Sequence, residues 1–432
     1  MSDRVLIVLM ILVAILNLGN ENYALADDWT TYQHDAAHTG RSTALFDPTE
    51  LVKAWSAPQG YSQPLIVGDK VFSMRNQQGI GSDVTSVSSF QLSNGAVNWT
   101  YTNHFIFPGQ PTLAEGLVLF AAKFSSAPAR LYALDAIAGT LKYTVPLNGI
   151  GYAPLMPTVA RNANGDLVAY VTDGGLVNAV RLGESSGSVM WSGTGSFGGQ
   201  SIPTVCGNSI ILAGPGQFYA FDQLTGAMNH FFSGNNYGGG GSTVACDSTS
   251  HQFYVKEVMN SGQGFPLAAF SYVDNSQISQ LWQQTGPGIG HGGSVAIGQK
   301  GSLFSADGAT LLELDPSDGT VLRSLTGLSL AGGITPAITG NSIFLMTETQ
   351  TQIYDLDSFA LRRSLQGSRG SLNTAYDSPG AVFDSGFALD YGNIYGSRGF
   401  DVFRVPEPST LSLIGVGAIG IRRFRKSASV FS

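Results

Sequence analysis

The chain repeats one pattern of apolar and polar positions along most of its length. An apolar strand is followed by Asp, a few polar residues, Gly and a second strand that ends in an aromatic residue. In this pattern Asp accepts backbone N–H bonds within a turn, and Gly supplies a positive φ that returns the chain antiparallel. Because the strands are apolar on both faces, we expect each sheet to pack between two others. The clearest copies are 131–135 with Gly139 and Tyr143, 218–222 with Gly226, and 311–315 with Gly319.

A second unit precedes each of these, with a Pro or small residue, a short strand, a turn and another strand. Successive prolines at positions 64, 111, 157 and 203 lie 47, 46 and 46 residues apart. Two strands from each unit give a four-stranded antiparallel blade of about 45 residues, which is the repeat of a β-propeller.

The ends of the outermost strands give the number of blades. They fall at eight positions, namely Trp55, Trp99, Tyr143, Trp191, Phe231, Trp282, Ser324 and Ser364. Seven complete blades lie between 63 and 364, the segment 381–404 offers three more strands, and 51–55 offers one. Joining these two segments closes the ring and removes open sheet edges. The sequence therefore predicts an all-β, eight-bladed β-propeller of four-stranded antiparallel blades over 51–404, closed by pairing an N-terminal strand with the C-terminal blade.

The residues before the ring, 27–50, are predicted to form a lead-in segment. In it, Trp29 is followed by His34-Asp35 and then by His38-Thr39-Gly40. Together with the Leu-Asp-x-x-x-Gly units, this segment resembles PQQ-like (quinoprotein-type) propellers over most of 28–404. The resemblance implies the fold. It implies no single function, because dehydrogenases, scaffolding lipoproteins and other proteins share this repeat.

A secretory signal is predicted at the N-terminus. An unbroken apolar run covers 5–16, with Arg4 before it and the sequence Ala24-Leu25-Ala26 after it. A short apolar run and an Ala-x-Ala site are typical of a signal peptide, so we expect cleavage after Ala26 to remove 1–26. The run is too short for an ordinary membrane span, and an uncleaved anchor is the alternative.

The C-terminus carries a second processing pattern. Pro406-Glu407-Pro408 precedes an apolar stretch, 411–421, and a basic cluster, 422–426. This order resembles the PEP-CTERM sorting signal over 405–426, with 427–432 as a tail. The resemblance implies recognition by an exosortase-type membrane protease, transient anchoring by a short transmembrane stretch, and delivery to the cell surface or extracellular matrix of a bacterium. A plain C-terminal membrane anchor is the alternative.

The composition argues against nucleic acid as a partner and against a cysteine-based metal or redox motif. The 432 residues carry a formal net charge of −8, and 12% are charged, which argues against nucleic acid because phosphate binding needs a basic stripe. The two cysteines, Cys206 and Cys246, form no CxxC or CxxCH motif. Their separation of 40 is close to one repeat, so they form either an inter-blade disulfide or two buried free thiols, of which the thiols are favoured.

No catalytic, cofactor-binding or metal-binding residue is predicted. Quinoprotein enzymes hold PQQ and Ca²⁺ in the central funnel, but this chain has no adjacent cysteines and no acidic set at matching positions. A PQQ-dependent periplasmic dehydrogenase is therefore an alternative that only the fold supports. His34, Asp35 and His38 suggest a metal site, but no further ligand is evident, so we expect hydrogen bonds that pin the lead-in.

An aromatic, uncharged rim is predicted at one mouth of the channel. Aromatic and His residues lie near the junctions between blades, namely Tyr61, His104, Phe107, Tyr152, Phe197, Tyr237 and His291. Such a rim suits a sugar or an apolar ligand, while ordinary blade packing is the alternative. We therefore expect a non-catalytic binding scaffold for an unknown surface protein or polysaccharide. The alternatives are the dehydrogenase and an envelope-assembly scaffold.

Overall fold

The computed structural model describes residues 28–58, 64–77, 84–105, 109–123, 128–149, 156–195, 201–214, 217–233, 243–256, 267–273, 277–286, 294–330, 334–347, 350–366, 380–390 and 399–406. Within these residues, 32 strands form eight four-stranded antiparallel sheets, and a short 3₁₀ helix, Pro48–Glu50, precedes the first strand, β1 (Val52–Ser56).

Seven blades are contiguous in the chain, and their strands follow one another in order from the axis outward. Blade 1 contains β2 (Leu65–Val67), β3 (Lys70–Gln77), β4 (Val84–Gln91) and β5 (Val97–Asn103). Blade 2 contains β6 (Thr112–Ala114), β7 (Leu117–Ala122), β8 (Arg130–Asp135) and β9 (Leu141–Pro146). Blade 3 contains β10 (Thr158–Arg161), β11 (Leu167–Asp173), β12 (Leu176–Leu182) and β13 (Gly187–Thr194). Blade 4 contains β14 (Thr204–Cys206), β15 (Ser209–Gly214), β16 (Gln217–Asp222) and β17 (Met228–Ser233).

The remaining blades follow the same plan. Blade 5 contains β18 (Ala245–Asp247), β19 (Gln252–Lys256), β20 (Leu267–Val273) and β21 (Gln277–Gln284). Blade 6 contains β22 (Ala296–Ile297), β23 (Leu303–Asp307), β24 (Thr310–Leu314) and β25 (Val321–Thr326). Blade 7 contains β26 (Ala337–Ile338), β27 (Ser342–Met346), β28 (Gln350–Asp355) and β29 (Leu361–Gln366). Blade 8 contains β30 (Ala381–Phe383), β31 (Gly386–Asp390), β32 (Phe400–Arg404) and, as its outermost strand, β1.

Blade 8 is built from both ends of the chain. β32 lies between β31 and β1, and Val52 pairs with Arg404 while Ser56 pairs with Asp401. The Lys53 Nζ atom lies 3.0 Å from the buried Asp401 carboxylate, which adds an ion pair to the backbone ladder. The predicted eight-bladed propeller and its closure by an N-terminal strand are confirmed.

The antiparallel order gives the disc two different faces. In each blade the innermost strand is joined to the second strand, and the third strand to the outermost strand, at one face, which we call the turn face. For example, β2 and β3 are separated only by residues 68–69. The other connections leave the opposite face, which we call the loop face, and there 367–380 separates β29 from β30. Both described chain ends lie at the turn face, since Gly68 N–H donates to Asp28 Oδ1 (2.8 Å) and Val405 N–H donates to the Ser385 carbonyl (2.7 Å).

Tryptophans of the outer strands couple four of the blades to the next blade. Each indole N–H donates to a carbonyl in the neighbouring turn: Trp55 to Leu92 (2.8 Å), Trp99 to Ala136 (3.1 Å), Trp191 to Gln223 (3.1 Å) and Trp282 to Pro316 (2.8 Å). The repeated glycine of that turn lies against the ring. At Gly139, where φ is +69°, an added Cβ would lie 2.3 Å from the Trp99 ring. The glycine is therefore required by the indole contact as well as by its backbone conformation.

Arginines take the place of tryptophan in blades 6 and 7. The Arg323 guanidinium lies 4.2 Å from the centroid of the Phe359 ring, and Phe359 occupies the glycine position with φ of +58°. Arg363 donates to the Pro48 carbonyl (3.2 Å) in the 3₁₀ helix. This helix stands where blade 8 would otherwise have its outer turn, because β32 and β1 come from opposite ends of the chain and no turn joins them.

We expect Gly139→Ala to lower the free energy of unfolding by about 3 kcal/mol, since Ala must adopt positive φ and also displace the Trp99 indole. The matched control in the same blade is Gly116→Ala. Gly116 has φ of +79° but no atom within 4 Å of an added Cβ, so the cost there is about 1 kcal/mol, the backbone cost alone. Urea denaturation of both variants measures the difference, and equal losses would contradict the indole contact.

Candidate functional site

The lead-in runs around the axis and binds the inner strands of six blades. Its carbonyls accept the N–H groups of Ile66 (on Trp29, 3.0 Å), Leu113 (on Thr30, 2.8 Å), Val205 (on Ala36, 2.9 Å), Cys246 (on Ala37, 2.9 Å), Ile297 (on Thr39, 2.8 Å) and Ile338 (on Gly40, 2.9 Å). These N–H groups lie on the free edge of each inner strand, toward the axis. A buried N–H without a partner is costly, so the lead-in satisfies edges that the blades leave open.

Side chains of the lead-in fill the axis at the level of the inner strands. Trp29, Tyr32 and His38 are buried, and the Tyr32 and His38 rings meet edge to face with centroids 6.0 Å apart. The buried Gln33 donates through Nε2 to the Thr335 hydroxyl at 3.0 Å. Gln33, His34 and His38 all have positive φ, which few non-glycine residues adopt and which winds this segment tightly.

Threonine hydroxyls connect neighbouring inner strands around the axis. Thr112 donates to the Pro157 carbonyl, Thr158 to the Pro203 carbonyl (2.6 Å) and Thr204 to the Val244 carbonyl (3.0 Å). The prolines mark the repeat in the sequence, but no role was predicted for the threonine that follows each of these three prolines. The signal was present, because Pro-Thr pairs begin at 111, 157 and 203.

His38 lies fully buried between two of these threonines. Its Nδ1 is 3.1 Å from the Thr204 hydroxyl and its Nε2 is 3.5 Å from the Thr158 hydroxyl. Since Thr204 donates its own proton to Val244, its oxygen can accept the Nδ1–H of a neutral imidazole. Burial lowers the pKa of His38 to about 4, so the ring is neutral at physiological pH.

Asp35 closes the turn of the lead-in beside His38. Its carboxylate accepts the Thr39 N–H (3.0 Å) and the Thr39 hydroxyl (2.5 Å), and it lies 3.5 Å from His34 Nδ1. Burial acts to raise the pKa of Asp35, but the hydrogen bonds from His34 and Thr39 and the charge of His34 outweigh it and hold this pKa below its ordinary value. The carboxylate therefore stabilises the turn of the lead-in through its hydrogen bonds with Thr39.

The two histidines and Asp35 do not converge on one point, because His38 faces threonines while Asp35 faces Thr39. Within the described residues, no group of three or more His, Cys, Asp or Glu side chains is placed to hold a metal ion. The lead-in also occupies the axis, where the resemblance to quinoproteins implies PQQ and Ca²⁺. The described residues around the axis do not fit that pair, and we derive no chemistry through it.

Cys206 and Cys246 form a disulfide between the inner strands of blades 4 and 5, with Cα atoms 5.8 Å apart. The favoured prediction of two free thiols was wrong. The spacing of 40 residues places the two cysteines at the same height in adjacent blades, and the inner strands approach each other most closely near the axis. Spacing alone left both states open, because it does not give the distance between neighbouring blades.

Only one of the seven predicted rim residues lies in the described part of the chain. His104 follows β5 at the loop face, where its side chain is exposed and its N–H donates to Asn103 Oδ1 (2.8 Å). The neighbouring Phe105 is buried and packs on Tyr132 (centroids 4.8 Å apart), so Phe105 provides the blade contact at this junction. The other six lie outside the described residues, namely Tyr61, Phe107, Tyr152, Phe197, Tyr237 and His291. The rim stays a prediction.

The processing signals lie mostly outside the described residues, which include Pro406 but not Ala24, Ala26, Glu407 or Pro408. Pro406 is exposed directly after Val405, which packs against the core of the disc. Among the described residues, no helix is long and apolar enough to cross a membrane.

We expect the stability of the protein to fall as the pH is lowered from about 6.5 to about 4, by about 3 kcal/mol in all. In this window the unfolded chain protonates His38 while the folded state keeps it neutral, so the contribution is fully present above pH 6.5 and lost toward pH 4. Urea unfolding at several pH values measures it. The control His38→Asn has no imidazole to titrate and should lose this part of the slope; an unchanged slope would contradict the assignment.

We expect Cys206→Ala combined with Cys246→Ala to lower the free energy of unfolding by about 4 kcal/mol, the loop-closure value for a separation of 40 residues. The measurement is denaturant unfolding of the wild type and the variant, each with and without reductant. Reductant should bring the wild type to the stability of the variant and leave the variant unchanged. A wild type insensitive to reductant under conditions that unfold it would refute the bond.

Comparisons with known proteins agree with this architecture. Residues 404–426 match the model of the PEP-CTERM protein-sorting motif. BamB from Moraxella catarrhalis is similar in structure, with a TM-score of 0.56 and 16% identity, over 82% of this chain and 97% of BamB. Sqt1 from Saccharomyces cerevisiae has a TM-score of 0.55 and 12% identity, over 84% of this chain and 99% of Sqt1.

No curated protein matches the chain in sequence. At these identities the two structural similarities show the fold alone. The sorting motif implies export, C-terminal membrane anchoring and processing by an exosortase-type membrane protein. This chain is therefore an eight-bladed β-propeller with a C-terminal PEP-CTERM sorting motif.

Proposed function

We propose that this protein is a non-catalytic binding scaffold of the bacterial cell surface or extracellular matrix, which recognises a surface protein or polysaccharide through its loop face. The observation that carries the proposal is that the two faces of the disc carry different parts of the chain. Both chain ends leave the turn face, while all the long connections between strands leave the loop face. A chain tethered at Pro406 presents its loop face away from the tether.

The bonds between the blades support recognition by the connections at the loop face. Every blade is bonded to its neighbours near the axis or at the outer turns, and the disulfide joins two inner strands. A scaffold that holds both ends of each connection in place lowers the conformational entropy that the connection can lose on binding. The exposed side chain of His104 belongs to this face.

The filled axis favours binding over quinone chemistry. Trp29, Tyr32 and His38 of the lead-in are buried at the level of the inner strands, near the axis where quinoproteins hold their cofactor. The dehydrogenase alternative is supported by fold analogy alone, as is the envelope-assembly scaffold. Neither has a particular contact in its favour.

The experiment uses the chain without its two signals, residues 27–406, in equilibrium binding to extracellular polysaccharide from the producing bacterium and to its surface proteins. We expect the combined substitutions Tyr61→Ala, His104→Ala and Tyr237→Ala to weaken binding about tenfold or more, since aromatic contacts dominate such interfaces. The matched control Ile137→Ser lies at the turn face, is exposed, and should leave binding unchanged.

Equal loss in the loop-face variant and the control would contradict a loop-face site. A parallel assay adds PQQ, Ca²⁺ and alcohols or aldoses with a redox dye. Dye reduction that depends on PQQ would overturn the proposal in favour of the dehydrogenase, and absence of reduction together with loop-face binding supports the scaffold.

A further inference from the structure

An aliphatic side chain opens the outermost strand in six of the eight blades. These residues are Val52 (49% exposed), Val97 (58%), Leu141 (44%), Met228 (51%), Val321 (51%) and Leu361 (53%). Five of them come directly after an outer turn, and Val52 follows the 3₁₀ helix that stands in its place in blade 8, so all six lie at the turn face near the circumference of the disc. We call them the aliphatic collar. Single exposed aliphatic residues are common, but a set repeated at one height around a ring forms a surface.

The fold itself does not require these side chains. A β-bulge follows these residues within the outer strand; in blade 1 Phe90 pairs with Val97, and the register shifts before Ser89 pairs with Trp99. The contact to the next blade is made two residues later by Trp99. By register, the position of Val97 is occupied in blade 3 by Val189, which packs against the core, and in blade 5 by Gln280, and both blades form the same sheet. Gln280 shows that the sheet forms without an aliphatic side chain at this position.

The sorting tail leaves the turn face beside the collar. Arg404 pairs with the collar residue Val52, and Pro406 lies two residues after Arg404. Five residues, 406–410, separate Val405 from the apolar stretch that begins at Leu411. At 3.3–3.6 Å per residue these five residues span at most about 18 Å, of which about 5–8 Å crosses the headgroup layer. The anchored disc is thus held within about 13 Å of the lipid headgroups.

We propose that the aliphatic collar rests on the lipid interface while the tail is anchored, so that the turn face is the membrane-facing surface of this protein. Side chains of this type insert at the boundary between headgroups and acyl chains. The same face carries aspartates in its turns, among them Asp135 and Asp315, whose hydrogen bonds to the Ala138 N–H and to Ser317 hold their pKa values below the ordinary range. Anionic lipids repel these carboxylates, so the collar favours zwitterionic lipid.

The proposal depends on the C-terminal anchor and not on the loop-face ligand. The full chain, reconstituted through its tail, carries one added cysteine labelled with an environment-sensitive fluorophore, because the native cysteines are paired in the disulfide. The collar sites are Val97→Cys and Leu361→Cys. The matched control is Thr102→Cys, which lies in the same strand as Val97, is exposed, and stands five residues nearer to the loop face.

In phosphatidylcholine vesicles with brominated acyl chains, the two collar labels should lose roughly half of their fluorescence or more, whereas the control label should change little. Added phosphatidylglycerol should reduce the quenching at the collar, and salt should restore it. Absence of quenching at both collar sites, or equal quenching at the control, would overturn the proposal. Circular dichroism of each labelled chain confirms folding, and loop-face binding should be the same in all three variants.

Discussion

Eight sheets arranged around one axis leave eight inner edges facing each other, and the N–H groups on those edges need partners. The lead-in meets this constraint by following the ring and offering one carbonyl to each of six inner strands. Threonine hydroxyls link three pairs of neighbouring inner strands, and His38 lies between two of these threonines. The same segment then leaves the axis and becomes β1, so the N-terminus both fills the centre of the disc and closes it. Loss of the lead-in would expose buried backbone in most blades at once.

The outer part of the disc is held by a different and more local contact. An indole from one blade lies on the glycine of the next turn and donates to its backbone, so the repeated Asp-x-x-x-Gly unit and the tryptophan belong to neighbouring blades. Where the tryptophan is replaced, as at Arg323 and Arg363, the partner changes as well: Phe359 replaces glycine, and the 3₁₀ helix replaces a turn. The repeat is thus conserved in geometry even where its residue types differ.

Much of the fold was predictable because its signals are local. Turn residues and strands recur at one spacing, and counting them led to eight blades and to closure through β1. The path of the lead-in and the burial of His38 were not predictable, because they depend on contacts between residues more than a hundred positions apart. The disulfide was not predictable either, because the spacing of 40 residues does not give the distance between neighbouring blades. The predicted aromatic rim lies in long connections that do not repeat, so the spacing of residues says nothing about it. The aliphatic collar does recur at one place in the repeat, but it was not predicted because spacing does not show which side chains are exposed.

The place of β32 within blade 8 has a mechanical consequence. An edge strand peels away one hydrogen bond at a time when its end is pulled, but β32 is bonded to β31 on one side and to β1 on the other. Tension on the tail acts along the strand and loads both ladders in shear, together with the ion pair from Lys53 to Asp401. A force that pulls the disc away from its tail is therefore shared between two ladders loaded in shear, whereas a terminal edge strand would separate one hydrogen bond at a time.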